Sequence, residues 1–347
     1  MVDRRLAWAA AFVAALFVSE AAGADERVAP VRALPTPVDL SPQMRALVDR
    51  PVPLNYNEWP KTTEEWAARQ SASRASGEKL ATDMAARLHV KISTSTMGGV
   101  TVFDVLPETV APENRNRLLI HVHAGCYVVG GGPGATVEAM LVASFGGFHV
   151  ISVDYRMPPA AYFPAALDDV ITVWQEALKT YKPSQMAVFG SSAGGALTLE
   201  MVLRAKQLGL PLPGAIAPGT PMADLTGVGD SFATNAMIDN VLVSRDGFCD
   251  PGAQFYANGH DLRDPLLSPV YGDFVGFPPA ILTTGTRDLL LSNTVRVHRK
   301  LRRAGVEAQL QVFEALSHAQ YIRDDTAPET RDVAKEIAAF FDRHLSN

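Results

Sequence analysis

The sequence predicts an α/β fold, with a mostly parallel central sheet, helices on both faces and a helical cap at one edge. Three observations carry this prediction. From about His89 onward, strand-like and helix-like segments alternate as far as residue 344, the pattern of parallel strands joined by crossover helices. Residues 118–122 and 149–153 are short, branched apolar runs, as expected of strands buried on both faces. Between Phe163 and Tyr181, apolar residues fall at 167, 170, 171, 174, 177, 178 and 181, a helix with one buried stripe.

In chain order, the first 24 residues read as a cleaved secretory leader. Arg4 and Arg5 precede a 13-residue apolar run from 6 to 18, and Ala22-Gly23-Ala24 resembles a signal-peptidase site. The run is short of the roughly 20 residues a membrane span needs. The mature protein is therefore expected to be periplasmic or secreted, without stable membrane association. Residues 25–60 are proline-rich and irregular, and 62–84 form a polar helix outside the sheet. Together 25–88 make an N-terminal segment that precedes the first strand. Residues 90–94 and 100–105 alternate around Gly98-Gly99, which suits an antiparallel hairpin. A strand at 186–189 leads into a helix at 193–208, followed by strands at 215–217, 280–284 and 309–313 and helices at 293–304 and 330–344. Thr226 to Asp261 breaks the alternation and is expected to be a cap insertion, so that the core comprises 89–225 and 262–347.

Composition excludes several classes of function. A chain of 347 residues with 47% apolar and 20% charged residues can bury a core unaided. Its net charge of −6 gives no reason to expect nucleic acid as a partner. Two cysteines, Cys126 and Cys249, are too few for a disulfide framework or a cysteine zinc site. Export would permit them to bond to each other, and the sequence leaves free and bonded states open. Neither metal-ligand spacings nor a phosphate-binding motif occur, so no metal or cofactor is expected.

The chemistry centres on Gly190-Ser191-Ser192-Ala193-Gly194. A strand runs into Gly-x-Ser-x-Gly and a helix follows, the context of a nucleophile elbow with Ser192 at its apex. A serine hydroxyl needs a base, and the base an orienting carboxylate. His318 follows the strand at 309–313 by a short loop, and Asp288 follows 280–284 in the same way. The order Ser192, Asp288, His318 is that of α/β-hydrolases. His260 competes as base, and Asp224, Asp264 and Asp273 compete as acid, but none follows a strand so directly. The oxyanion needs fixed N–H donors. Ala193 supplies one, and the loop His123-Ala-Gly-Cys-Tyr127 is the expected second source.

These motifs resemble those of the bacterial hormone-sensitive-lipase-like carboxylesterases. His123-Ala-Gly-Cys-Tyr127 is similar to that family's His-Gly-Gly-Gly-aromatic loop, and Gly190-Ser-Ser-Ala-Gly-Gly195 to its elbow. Asp154-Tyr-Arg-Met-Pro-Pro, Phe163-Pro-Ala-Ala-Leu-Asp-Asp169, Asp224-Leu-Thr226 and Asp264-Pro-Leu-Leu-Ser-Pro269 also fall in family order. The resemblance implies a capped α/β-hydrolase, with the N-terminal segment 25–88 as part of the cap beside the insertion 226–261, that cleaves esters of short to medium acyl chain through an acyl-enzyme. It implies Ser192 as nucleophile, His318 as general base and acid, Asp288 as orienting acid, and Gly125, Cys126 and Ala193 as oxyanion donors. It assigns His123 to shaping the loop. Four positions depart from the family pattern. Ala124 and Cys126 replace two glycines, which matters if either residue needs a positive φ. Ser191 stands where Asp is common, and Leu289 where Pro is common. A small-molecule ester is the expected partner, with a homodimer left open. An amidase or lyase activity on the same scaffold stays open; a non-catalytic ligand receptor is disfavoured by His318.

Overall fold

The computed structural model describes residue 31 and residues 33–346, and the expected leader, residues 1–24, lies outside the described residues. The chain divides into two units. In Met1–Pro35 the described residues are exposed and lack regular structure. Thr36–Asn347 carries everything that follows.

It begins with helices α1 (Pro42–Val48) and α2 (Thr63–Leu88) and the hairpin β1 (Val90–Met97) and β2 (Val100–Pro107). Then come β3 (Leu118–Val122), α3 (Val137–Gly146), β4 (Val150–Val153), α4 (Ala165–Ala177), β5 (Met186–Ser191), α5 (Ala193–Gln207) and β6 (Ala215–Gly219). Two short helices, α6 (Ser231–Thr234) and α7 (Cys249–Ala257), occupy the insertion. β7 (Ala280–Gly285), α8 (Leu291–Arg303), β8 (Ala308–Phe313) and α9 (Pro328–His344) close the chain.

The strands form one eight-stranded sheet in the order β1-β2-β4-β3-β5-β6-β7-β8. Only β1–β2 and β2–β4 pair antiparallel; from β4 through β3 to β8 every pairing is parallel. Gly98 and Gly99 turn the hairpin with φ of 59° and 87°, between the paired Met97 and Val100. A two-residue turn with both φ positive matches the twist of its strands, and glycine adopts it freely.

Side chains alternate across the buried strands, as a period of two requires. Leu118, Ile120, Val122, Met186 and Val188 enter one apolar layer with α4, α5 and α8. Leu119, Ala187 and Phe189 enter the other, with α3 and α9. α2 starts with a capping box, Thr62 Oγ1 accepting from Glu65 N while the Glu65 carboxylate accepts from Thr62 N. It runs four residues beyond its expected end and packs its Gly77 against Gly134, where an added Cβ would lie 2.9 Å from backbone.

The topology sets up the site. β5, β6, β7 and β8 are adjacent and parallel, so the loops that follow them emerge at one edge, where α/β proteins bind ligands.

Candidate active site

Ser192 is the residue between β5 and α5, with φ 61° and ψ −121°. That conformation is costly for a residue with a β-carbon, on the order of 1–3 kcal/mol. Its surroundings enforce it. A Cβ on Gly190 or Gly194 would fall 2.0 Å or 1.9 Å from Val122 O, so the elbow is pressed against the end of β3 and the loop after it. Ser192 N donates to Gly219 O at 2.9 Å, and Ser192 O accepts from Met222 N at 3.0 Å. The hydroxyl has no hydrogen-bond partner among the described residues.

Between those two anchors sits Thr220, which sequence reasoning missed. Its Oγ1 donates to Asp288 Oδ2 in a short hydrogen bond and lies 3.3 Å from His318 Nδ1. The end of β6 thus bridges the backbone of Ser192 to the Asp288–His318 pair. His318 Nδ1 is 3.1 Å from Asp288 Oδ1, and both side chains are buried. Since an ionised carboxylate only accepts, Nδ1 carries the proton and the neutral ring presents Nε2 as acceptor. Asp288 is held further by Thr284 Oγ1 at 2.9 Å and Leu290 N at 2.8 Å. The loops bearing acid and base meet closely, for a Cβ on Gly285 would lie 2.0 Å from Leu316 O.

The competitors are engaged elsewhere. His260, three residues past α7, donates from Nδ1 to Ala257 O at the end of that helix, at 2.9 Å, and packs edge-on against Phe163. Asp224 accepts from Thr226, Tyr271 and Arg296, Asp264 from Leu266 N, and Asp273 is exposed.

The loop after β3 lies beside the elbow. Gly125 has φ 124°, and a Cβ there would come within 2.0 Å of Val129 O, so only glycine fits. Cys126 also has a positive φ, 55°, whereas Ala124 is not among the residues with positive φ. Of the two replaced glycines, only the one at 126 occupies backbone that favours glycine. His123 Nδ1 donates to Ala124 O at 2.7 Å, and its ring stacks on Tyr155 at 3.9 Å. Burial pushes its pKa down to about 4. A neutral, stacked imidazole bonded to the next carbonyl is placed to shape the loop.

At Ser191 a carboxylate arrives from another element. Glu138 of α3 accepts from Ser191 N at 3.0 Å and from Ser191 Oγ at 2.7 Å, and Tyr321 OH lies 2.7 Å from the same hydroxyl. The elbow keeps its geometry with different hydrogen bonds.

The insertion at 226–261 reaches the loops of Asp288 and His318. Asn235 Nδ2 donates to Asp288 O at 2.8 Å and Thr286 O at 3.2 Å. Asp239 Oδ2 accepts from Leu289 N at 2.7 Å and His318 N at 3.2 Å, while its Oδ1 accepts from Val241 N and Leu242 N at 2.8 Å and 3.0 Å. This one buried carboxylate therefore joins the Asp288 loop to the His318 loop. Burial and then the Asp288 charge push its pKa up, while His318 and the backbone donors pull it back. The insertion also meets the N-terminal segment. Trp66 stacks on Phe255 at 5.5 Å, and residues 57–66 with 245–255 line an open groove of about 1120 Å³ that does not include Ser192 or His318.

Comparison with known proteins bears on the fold and the family. A family profile described as "alpha/beta hydrolase fold" matches residues 119–322. The crystal structure of an esterase, E25, is 43% identical with a TM-score of 0.88, covering 92% of this chain and 99% of that one. An esterase from the bacterial hormone-sensitive lipase family is 26% identical with a TM-score of 0.76, covering 88% and 99%. An acetyl-hydrolase of Streptomyces hygroscopicus is 28% identical over 243 residues, 70% of this chain and 81% of its own length.

Proposed function

The chain belongs to the α/β-hydrolase family, among the bacterial hormone-sensitive-lipase esterases, and from that premise we propose that it is a serine carboxylesterase working through an acyl-enzyme on Ser192. Ser192 Oγ attacks the ester carbonyl while His318 Nε2 takes its proton. The negative charge on the carbonyl oxygen is met by the N–H groups of Gly125, Cys126 and Ala193. Collapse of the intermediate releases the alcohol, which takes the proton back from His318. Water, deprotonated by the same imidazole, then frees the acid. Asp288 holds the ring in the tautomer that both half-reactions need and stabilises the imidazolium.

One observation carries this reading. Thr220 contacts Asp288 and His318 within a segment whose neighbours Gly219 and Met222 hydrogen-bond the backbone of Ser192. Three residues distant in sequence are thereby tied together at one sheet edge.

The substrate we infer is a soluble ester of short to medium acyl chain, in line with the acetyl-hydrolase relative. Within Thr36–Asn347, the N-terminal segment up to residue 88 and the insertion at 226–261 act as the cap over it. We place the mature enzyme in the periplasm or outside the cell, a compartment in which a bonded cysteine pair persists. A series of p-nitrophenyl esters of increasing acyl length, run beside matched amides, tests the class. Activity should peak at the short end and be absent on amides. Ser192→Ala should lower kcat by roughly a thousandfold or more, since the triad members act as a unit. Near-normal hydrolysis by that variant would refute the assignment.

A further inference from the structure

Cys249, Gly252 and Tyr256 lie at i, i+3 and i+7 on α7 and so share one helix face. That face rests on the loop after β3. Cys249 is disulfide-bonded to Cys126. Gly252 packs so closely that a Cβ would come within 2.8 Å of the Val128 side chain. Tyr256 stacks on Tyr127 with centroids 4.6 Å apart and planes 3° from parallel.

The loop residues beneath this face need holding. Cys126 and Tyr127 have consecutive φ values of 55° and 64°, in the left-handed region that L-residues other than glycine disfavour. At Tyr127 a second anchor is present, its hydroxyl donating to the buried Glu200 Oε1 at 2.9 Å. At Cys126 the side chain is packed in the apolar core and, among the described residues, is tied covalently to Cys249.

We propose that Cys249 is a positioning residue for the oxyanion hole. Through the disulfide it keeps Cys126 in the left-handed conformation that aims its N–H at the substrate's carbonyl oxygen, and turnover therefore depends on the pair being oxidised. This rests on the esterase reading and deepens it.

A dithiol reductant switches the device off in two exchange steps. One thiolate attacks a sulfur of the pair and forms a mixed disulfide. The second thiol of the reductant displaces the protein sulfur and closes its own disulfide. The protein gains two electrons and two protons as two thiols, and the reductant loses them. Cys126 can then relax toward ordinary backbone geometry, while Ser192, Asp288 and His318 are untouched. An oxyanion contact acts on the transition state, so its loss falls on kcat rather than KM.

The test uses the full chain and a soluble p-nitrophenyl ester. Thiol titration of the denatured protein should find no free thiol as purified and two after dithiothreitol. Cys126 and Cys249 are 3% and 7% exposed, so reduction is followed by this count to completion. Reduced protein should lose about tenfold in kcat, less than the 10²–10³ that outright loss of an oxyanion donor costs, with KM changed by about twofold at most. Reoxidation with diamide should restore it. Cys249→Ala should behave like the reduced enzyme whatever the redox state. In the Cys249→Ala background, Cys126→Gly should recover most of the lost kcat, because glycine adopts the left-handed conformation unaided, whereas Cys126→Ala should not.

Free thiols in the oxidised preparation, or undiminished kcat after complete reduction, would overturn the proposal. If reduction unfolds the chain, the two double variants decide, and equal kcat in both overturns it. Absence of ester hydrolysis by the oxidised wild type would instead remove the esterase reading, which keeps the two failures apart.

Discussion

At the scale of single residues, Asp239 makes the sharpest prediction. Its two carboxylate oxygens accept four backbone N–H groups, two from its own segment and one each from Leu289 and His318. Asparagine has the same shape, but in either orientation its amide turns N–H toward two of those donors. Asp239→Asn should therefore destabilise the protein by about 1–3 kcal/mol and lower kcat as the acid and base loops loosen. Thermal melts and ester kinetics check both, and an unchanged melting temperature contradicts the clamp. Nothing in the sequence marks residue 239, since its role arises only when the insertion folds back onto two distant loops. The same holds for Thr220 and for Glu138 beneath Ser191. Ser192 is legible because its cause is local: Gly190 and Gly194 permit the approach to Val122 that the elbow needs. The Cys126–Cys249 bond is chemically foreseeable but not deducible, because it depends on where α7 docks.

At the scale of elements, legibility follows the pattern of burial. α4 shows one apolar stripe and is readable over most of its length. α3, with Val137, Ala139, Met140, Leu141, Val142 and Ala143 in an almost unbroken apolar run, offers no period and escapes sequence reading. α7 presents its loop-facing side through residues as unlike as Cys249, Gly252 and Tyr256, so its docking face has no hydrophobic signature. α2 shows how a contact overrides propensity. Gly77 lies inside a long helix, where alanine is intrinsically better by roughly 0.5–1 kcal/mol. Yet the added methyl would meet Gly134 Cα at 2.9 Å, and forced repacking of backbone costs about 1–3 kcal/mol. Gly77→Ala should thus lower stability despite the better helix former, a sign that denaturant midpoints read directly.

At the scale of the molecule, two buried groups give stability a pH dependence of opposite signs. Burial holds His123 neutral, with its pKa down at about 4 against an ordinary 6.5. Its contribution is complete above pH 6.5 and is lost as pH falls through 4, up to about 3 kcal/mol. Burial pushes the Glu200 carboxyl well above its ordinary 4.5, an effect that the hydrogen bond from Tyr127 only partly offsets. A carboxyl raised on folding costs stability as pH climbs above 4.5, by at most about 1.4 kcal/mol per pH unit until the folded value is passed. Glu200→Gln keeps an acceptor for Tyr127 and removes the charge. Its stability relative to wild type should therefore improve as pH rises above about 5 in urea titrations, and a difference that does not change with pH would contradict the raised carboxyl.

The order of the strands also bears on how the protein is made. β5 to β8 lie side by side in the sequence in which they are synthesised, while the loop carrying Gly125 and Cys126 precedes them all. Translation delivers Gly125 and Cys126 of the proposed oxyanion hole first, then the proposed nucleophile Ser192 with the donor Ala193, then the proposed acid Asp288, and the proposed base His318 last. A chain still leaving the ribosome carries an elbow without His318, and Cys126 waits for Cys249 until α7 has emerged. On the proposed mechanism, hydrolytic competence needs His318 and so arrives only near the end of synthesis.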